Sequence, residues 1–451
     1  MMHKLLKYMR KSGDDSGGSK EDVQKIIDNV EAKRWTRYEI FVLVLIMFGW
    51  AFDGAEIYIF GSTADFIAHS LLYAATLTAV ILIGFNGGQL ISTVLISWLA
   101  DVRGRRIAFM VSIAIYSIAS LLTGLSWNFA SLLFFRVLVG IGTGVEWGLG
   151  ATIAAEVLPA RRRGTAISIF NGGFPIGGFI ASLVFLLIVV PAPYTNWRYA
   201  YFVFAVPAVL LLFMRQKYFK ETERFQLSKE VVKKKSLKNS YSELFVNTKM
   251  RKNTLLGTLI SAPMRWNTLP WLALVELTLI ATRGFTASLV AEYILINTVF
   301  AMVGYFTGGT IADYIGRRPA WYIYFSLVVV GYLLSILAIN RNFIMLGGAL
   351  WGFGWGFSPI EVLMLSELFP TRARASGEGF ALGIGLAGAI VIAYLWLGWV
   401  HLYGYTNAAV LLMLPLIIPP IALALGFRTD TKGKVLENIS YIESEEAAIL
   451  R

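Results

Sequence analysis

Long apolar segments recur along the chain, each close to the length of about 20 residues that crosses a bilayer as a helix. Short polar turns separate them, which is typical of antiparallel membrane helices. The pattern predicts twelve membrane-spanning helices, at residues 39–60, 74–100, 107–125, 129–157, 164–190, 197–216, 253–277, 287–312, 319–339, 342–368, 374–400 and 404–426.

One long polar break, beginning at Lys217, separates the first six predicted helices from the last six. We therefore predict an all-α membrane protein built from two six-helix bundles. Its expected parts are an N-terminal segment at 1–38, a first bundle at 39–216, a central loop at 217–252, a second bundle at 253–426 and a tail at 427–451.

The basic residues lie mostly on one side of the predicted membrane. The turns "DVRGRR", "ARRRG", "DYIGRRP" and "TRARAS" and the lysine-rich central loop all fall on the same side, whereas the opposite turns hold only Arg198, Arg283 and Arg341. Because positive residues mark the cytoplasmic side, we expect a multi-pass cell-membrane protein with both termini in the cytoplasm. This bias explains the net charge of +12 without nucleic-acid binding.

The composition argues against several kinds of chemistry. The chain has no cysteine and three scattered histidines, so thiolate chemistry is excluded and a histidine metal cluster is not expected. No phosphate-binding Gly-x-x-x-x-Gly-Lys-Ser/Thr motif is present, so the chain shows no ATP motor of its own. We expect no enzyme activity, no metal and no cofactor.

The two halves repeat. "WLADVRGRR" ends the second predicted helix and "TIADYIGRRP" ends the eighth, with 212 residues between Asp101 and Asp313. "EVLPARRRG" ends the fourth helix and "ELFPTRARASG" ends the tenth, with 211 residues between Glu156 and Glu367. Duplicated halves of a transporter place its substrate site at their interface, near the bilayer midplane.

These motifs resemble the major facilitator superfamily over nearly the whole chain. That family's signature after the second helix is Gly-x-x-x-Asp-x-x-Gly-Arg-Arg, and Ser97 replaces its leading glycine here. The matching residues are Asp101, Gly104, Arg105 and Arg106 in the first copy and Gly309, Asp313, Gly316, Arg317 and Arg318 in the second. "RVLVGIGTG" in the fourth helix, beginning at Arg136, is also similar to the family's pattern.

Within the family, the chain resembles the sugar-porter-like branch, which includes proton symporters of metabolites and aromatic acids. Glu156-x-x-Pro159-x-x-x-Arg163 and Glu367-x-x-Pro370-x-x-x-Arg374 fit that branch. The resemblance implies that Asp101 and Asp313 lie near the N-termini of the eleventh and fifth helices. It also implies that the motif residues form a charge network that closes the cytoplasmic side, and that the protein functions as a monomer.

The seventh helix lacks the glutamines that sugar porters usually carry there, and the acidic first helix, "FDGAEIYIFG", resembles organic-acid symporters more closely. Asp53 lies about 21 Å along that helix, near the midplane, and Glu56 follows one turn later on the same face. Two neighbouring carboxylates cannot both ionise cheaply inside a membrane, so one should hold a proton. We predict that Asp53, preferred over Glu56, couples transport to protons.

Two residues of the fourth helix are further candidates for coupling. Glu146 is either a second proton station or the partner of an arginine. Arg136 lies closer to the outer end, where it either reaches the surface or pairs with Asp53 or Glu56.

Arg265 lies close to the midplane in the seventh helix, between Pro263 and Pro270. Its planar guanidinium group can contact both oxygens of a carboxylate, so we predict that Arg265 binds an anionic group of the substrate. The alternative is an ion pair with Glu146 or another acid. The other candidates for substrate contact are Trp266, Asn267, Asn171, Tyr58 and Trp355. We expect Glu361 to serve the cytoplasmic gate.

The sequence therefore predicts a secondary transporter that moves a small polar, anionic metabolite together with protons by alternating access. Its expected partners are that solute, protons and the lipid bilayer. A transporter for a sugar or polyol, a passive uniporter and a non-transporting nutrient sensor of the same fold are the alternatives.

Overall fold

The computed structural model describes residues 35–73, 77–158, 162–222, 225–226, 241–246, 248–370 and 373–426, and every regular element within these ranges is helical. The predicted N-terminal segment up to residue 34, most of the central loop, Pro159 and the tail from residue 427 lie outside them. The twelve long helices are α1 (Arg37–Ser70), α2 (Thr78–Arg103), α3 (Arg105–Gly124), α4 (Phe129–Val157), α5 (Arg163–Val189), α6 (Pro193–Tyr218), α7 (Thr248–Arg283), α8 (Ala287–Ile315), α9 (Arg317–Leu337), α10 (Arg341–Leu368), α11 (Arg374–Trp396) and α12 (Gly398–Gly426).

The predicted order and number of helices agree with this architecture. Within the described ranges, eleven of the helices are long and apolar enough to cross a membrane, and α7 is not among them. Arg265 and Asn267 lower the apolarity of α7 at its middle, although the helix spans 36 residues and packs along α11. The first helix continues to Ser70, ten residues beyond its predicted end.

Local sequence signals explain several of the helix ends. Thr36 and Glu39 form a capping box at the start of α1, and Asn128 caps α4. Gly104 and Gly316 have φ angles of 114° and 101°, a conformation that favours glycine, and each allows one helix to follow the last almost without a loop.

The two halves meet through equivalent helices. Across the interface, α2 packs against α11 and α5 packs against α8, and the internal repeat relates these two contacts to each other. Each half contains one interrupted helix: α4 is interrupted at Gly144 and Val145, and α10 at Trp355 and Gly356. Gly144 and Trp355 are 211 residues apart, the offset of the repeat, so the break itself is duplicated.

Candidate functional site

A central cavity of about 150 Å³ lies between the two halves. The first half contributes α1, α2, α4 and α5 to its wall, and the second half contributes the equivalent α7, α8, α10 and α11. Its polar and aromatic lining consists of Trp50, Asp53, Tyr58, Gln89, Thr143, Trp147, Phe174, Arg265, Asn297, Tyr305, Trp355, Phe357, Ser358 and Glu361. The cavity is therefore where the duplicated halves were expected to form a site.

Asp53 is buried in the wall contributed by α1, with 2% of its surface exposed. Its Oδ1 has no hydrogen-bond partner among the described residues, and Thr143 lies on the same cavity wall. No arginine or lysine of the described ranges forms an ion pair with it. A buried carboxyl group without a cation is expensive when ionised, which makes Asp53 suited to bind a proton.

The other two acids proposed for proton coupling, Glu56 and Glu146, are each paired with an arginine. Arg136 Nη1 lies 2.9 Å from Glu56 Oε2, and the Ser120 hydroxyl also contacts Glu56. The guanidinium of Arg136 also lies 4.3 Å from the centre of the Phe60 ring and 4.9 Å from that of the Phe85 ring. Arg136 is thus buried with Glu56 and does not reach the surface, and Glu56 lies outside the cavity.

Glu146 is held by a residue that the sequence did not single out. Arg215 of α6 binds it in a two-point contact, with Nη1–Oε1 and Nη2–Oε2 distances of 2.9 Å each. The Ser112 hydroxyl donates a third hydrogen bond to Glu146 at 2.6 Å. Of the two predicted roles for Glu146, this geometry favours the partner of an arginine. Arg215 is an arginine near the end of an apolar helix, and such residues are usually assigned to the membrane surface.

Arg265 projects into the cavity from α7. Its Nη1 lies 3.1 Å from Glu361 Oε1 and 3.1 Å from the Ser261 hydroxyl. Its guanidinium also lies 4.3 Å from the ring of Trp147, across the interface between the halves. The acid that pairs with Arg265 is therefore Glu361 and not Glu146. Our expectation that Glu361 serves the gate is wrong in position, because it lies two turns before the end of α10, on the cavity wall.

The six residues proposed to contact the substrate divide into two groups. Arg265, Tyr58 and Trp355 line the cavity. Trp266 packs against Gly388 of α11, and Asn267 donates to the Leu412 carbonyl at 3.0 Å, so neither faces the cavity. Successive helical residues are rotated by about 100°, which turns them away from the face that carries Arg265.

Asn171 also lies outside the cavity, but it positions a residue of its wall. Its side-chain oxygen accepts a hydrogen bond of 2.7 Å from the indole nitrogen of Trp147. Trp147 in turn stacks on Arg265 and lies 6.4 Å from the ring of Trp50. Asn171 thus acts on the cavity through Trp147 rather than by direct contact.

The residues of the two duplicated motifs form a pair of charge networks at one end of the helices. We call this end the motif face. Arg105 binds Asp101 and Glu156, each at 2.9 Å, and Arg374 of the other half binds Glu156 at 2.9 Å. The second network repeats this arrangement. Arg317 binds Asp313 at 2.9 Å and Glu367 at 3.4 Å, and Arg163 of the first half binds Glu367 at 3.2 Å.

Both aspartates of the motif face lie at helix N-termini of the opposite half, as the family resemblance implied. Asp101 accepts hydrogen bonds from the backbone of Ala375 and Ser376 at the start of α11. Asp313 accepts them from Gly164 and Thr165 at the start of α5. Free backbone N–H groups and the helix dipole favour a carboxylate there. The contacts hold the two halves together at this face.

The remaining motif residues have smaller parts in these networks. Arg106 donates to the Gln216 carbonyl at 2.7 Å, and Arg318 lies half-buried at the start of α9. Glu221, in the segment "ETERF" after α6, accepts from the backbone of Arg105 and Arg106 and so caps α3.

Glu378 is a buried acid that was not predicted from the sequence. It lies in α11, and one carboxyl oxygen accepts a hydrogen bond of 3.0 Å from the Thr152 hydroxyl of the other half. Its other oxygen has no hydrogen-bond partner among the described residues. It lies four residues after Arg374, close to the basic turn. From the sequence alone, an acid at this position would be assigned to the membrane surface.

Comparisons with known proteins agree with this architecture. The sequence profile of the Major Facilitator Superfamily matches residues 41–390. The chain is 29% identical, over 76% of its length and 80% of the relative's, to the probable 4-methylmuconolactone transporter of Cupriavidus pinatubonensis. It is 27% identical, over 65% of its length and 70% of the relative's, to the 3-(3-hydroxy-phenyl)propionate transporter of Escherichia coli.

Solved structures show the same fold. The proton:xylose symporter XylE superposes with a TM-score of 0.76 at 16% sequence identity, over 89% of this chain and 98% of that one. The family match covers most of the chain, and the fold, the repeat and the two duplicated motifs agree with it. The chain therefore belongs to the major facilitator superfamily and is a multi-pass membrane transporter, not an enzyme.

Proposed function

We propose that this chain is a proton-coupled symporter of a small organic anion, in which a ring carries the carboxylate. The observation that carries the proposal is the central cavity, which combines the Arg265 guanidinium, the Asp53 carboxyl without an ion-pair partner in the described part of the chain, and several aromatic rings. A cation for the substrate and a separate acid for the proton are the two groups that anion–proton symport requires.

The cavity suits a ring-bearing solute in size and lining. A cavity of about 150 Å³ in another protein is large enough for benzene, and this one has about the same volume. Trp50 and Phe174 form one aromatic wall, with ring centroids 5.0 Å apart, and Tyr305 and Trp355 stack at 6.1 Å on the other. The names of the two relatives, a muconolactone and a phenylpropionate transporter, are consistent with such a solute.

Protons would enter the cycle at Asp53. The cost of an ionised carboxylate at this depth favours the protonated form while the cavity is closed to water. Release of the proton on one side and its uptake on the other then ties substrate movement to the proton gradient. We place the motif face in the cytoplasm, because the basic turns lie at that face.

Alternating access would proceed by rocking of the two halves. The motif-face networks and the α2–α11 and α5–α8 contacts join the halves at one end of the cavity. When these contacts separate, the cavity opens at the motif face. Exposed pairs in such networks contribute little individually, but several buried pairs at one interface can set the balance between two states.

A sugar or polyol transporter is the second candidate. The side-chain amides of Gln89 and Asn297 line the same cavity and can hydrogen-bond hydroxyl groups. A passive uniporter for either solute is the third possibility, and Asp53 argues against it.

The test is uptake by the purified protein in proteoliposomes with an imposed pH gradient, acidic outside. The solutes are 3-(3-hydroxyphenyl)propionate, 4-methylmuconolactone, benzoate, xylose and a polyol. We expect at least one carboxylate to accumulate in proportion to the gradient, while xylose and the polyol do not. Accumulation of the sugar alone would support the second candidate, and equilibration that ignores the gradient for every transported solute would contradict symport.

A further inference from the structure

Arg265 already has a carboxylate partner, Glu361, in the cavity where the substrate is expected. We propose that Glu361 is a second proton-carrying residue: when the substrate carboxylate binds Arg265, Glu361 binds a proton. This inference rests on the proposed function, because it assumes that the substrate is an anion that binds Arg265.

The geometry makes Arg265 available to a ligand while Glu361 stays buried. The side chain of Arg265 is 17% exposed, whereas that of Glu361 is 2% exposed. The contact between them is through one terminal nitrogen, Nη1, at 3.1 Å, which Ser261 also shares. A guanidinium has five N–H donors, so a second carboxylate can approach its other edge from the cavity.

The substrate and Glu361 would then compete for a single positive charge. Among the described residues, the charged or titratable groups that interact with Glu361 are Arg265 of α7 and Tyr305 of α8. Neither Tyr305 nor the Ser261 hydroxyl can replace a cation. Two carboxylates that share one guanidinium leave a negative charge without compensation in a buried site, and binding one proton at Glu361 removes that cost.

The charges that line the cavity lead to the same conclusion. Asp53, Glu361 and Arg265 together carry one net negative charge when both acids are ionised, and the substrate carboxylate adds another. Two protons, one on each acid, make the occupied cavity neutral. The inference therefore predicts two protons for each monovalent anion, and transport that carries one positive charge.

The direct test follows the protonation of Glu361 without any substrate. Infrared spectra of the purified protein at pH 7 report the C=O stretch of protonated carboxyl groups. Arg265→Gln should gain one protonated carboxyl group relative to the wild type. The double variant Arg265→Gln with Glu361→Gln should lose that gain, whereas Arg265→Gln with Asp53→Asn should keep it relative to Asp53→Asn alone. A spectrum of Arg265→Gln with no additional protonated carboxyl group would overturn the inference.

A transport measurement separates this inference from the proposed function. For 3-(3-hydroxyphenyl)propionate in proteoliposomes, with the membrane potential held at zero and a gradient of about one pH unit, two protons permit about 100-fold accumulation and one permits about 10-fold. We expect Glu361→Gln to reduce the accumulation limit from about 100-fold to about 10-fold. An unchanged limit would overturn the inference and leave symport intact, whereas a wild type that never responds to the gradient would contradict the proposed function itself.

Discussion

The motif face and the central cavity are built from the same duplication, but they use charge in opposite ways. At the motif face the repeat preserves each charge: Asp101 matches Asp313, Arg105 matches Arg317, Glu156 matches Glu367 and Arg163 matches Arg374. In the cavity, the offset of 212 residues relates Asp53 to Arg265, so an acid on one wall stands at the position of a base on the other.

This difference separates two tasks. A gate that must close and open by the rocking of two similar halves gains from equal contacts on both sides of the pseudo-symmetry axis. A binding site for an anion and a proton needs unlike groups, because a carboxylate seeks a cation and a proton seeks an acid. We therefore expect substitutions at the motif face to change the balance between conformations, and substitutions in the cavity to change binding and coupling.

The largest expected effect concerns a pair that lies in neither region. Arg136→Gln removes the cation from buried Glu56, and the loss of one member of a buried pair typically costs about 3–5 kcal/mol. The midpoint of thermal unfolding in detergent should fall strongly at neutral pH. Asp53→Asn is the matched control, since Asp53 has no ion pair to lose, and an equal loss in both variants would contradict the distinction between the paired and the unpaired acid.

Breaking one contact between the halves at the motif face should open that face. The chain has no cysteine, so Ser97→Cys, buried against Gly379 at the α2–α11 contact, introduces a unique reporter. In this background, Arg374→Gln should raise the rate of maleimide labelling by at least about fivefold, because allosteric couplings of this kind are typically 1–3 kcal/mol.

The symmetry of the motif face predicts that Arg163→Gln has a similar effect on the same reporter. Arg106→Gln is the control, because Arg106 bonds to a carbonyl within its own half and not across the interface. A large effect of Arg374→Gln with none of Arg163→Gln would break the equivalence of the two networks.

A smaller effect is expected from Arg265→Lys. Lysine keeps the positive charge but lacks the planar fork, so one charge-assisted hydrogen bond to the substrate is lost. We expect the apparent Kd for a transported carboxylate to rise roughly tenfold, measured by equilibrium binding to the detergent-solubilised protein. An unchanged affinity would remove Arg265 from the anion site.

The smallest effect distinguishes two tryptophans of the second half. Trp355→Ala removes a ring from the cavity wall and should weaken binding of an aromatic carboxylate by about 0.5–1.5 kcal/mol, or roughly twofold to tenfold. Trp266→Phe should leave the affinity unchanged, because Trp266 packs against α11. The reverse order of effects would mean that α7 presents a different face to the substrate.

Much of the fold could be predicted from the sequence, because apolar length, basic turns and a repeated offset are local or periodic signals. The family resemblance also correctly placed Asp101 and Asp313 at the helix N-termini of the opposite half. Depth along a helix indicated which acids and bases lie near the midplane. These signals depend on position along one helix, and they need no knowledge of how the helices are rotated.

The contacts that depend on helix rotation could not be predicted in the same way. Trp266 and Asn267 are adjacent to Arg265 in sequence but point away from the cavity, and Glu361 lies beside Arg265 although 96 residues separate them. Arg215 looked like a surface residue and is the partner of Glu146. Asp53 could be identified as a cavity acid without a cation only from the structure, which pairs Arg136, Arg215 and Arg265 with other acids.

The most direct test of the central claim is proton-driven accumulation by Asp53→Asn. The substitution removes the charge and nearly preserves the shape of the one cavity acid that lacks an ion pair within the described part of the chain. In proteoliposomes, the variant should still exchange labelled for unlabelled carboxylate across the membrane, but it should no longer accumulate it when a pH gradient is imposed. Accumulation equal to that of the wild type would show that Asp53 does not carry the coupling proton and would contradict the account.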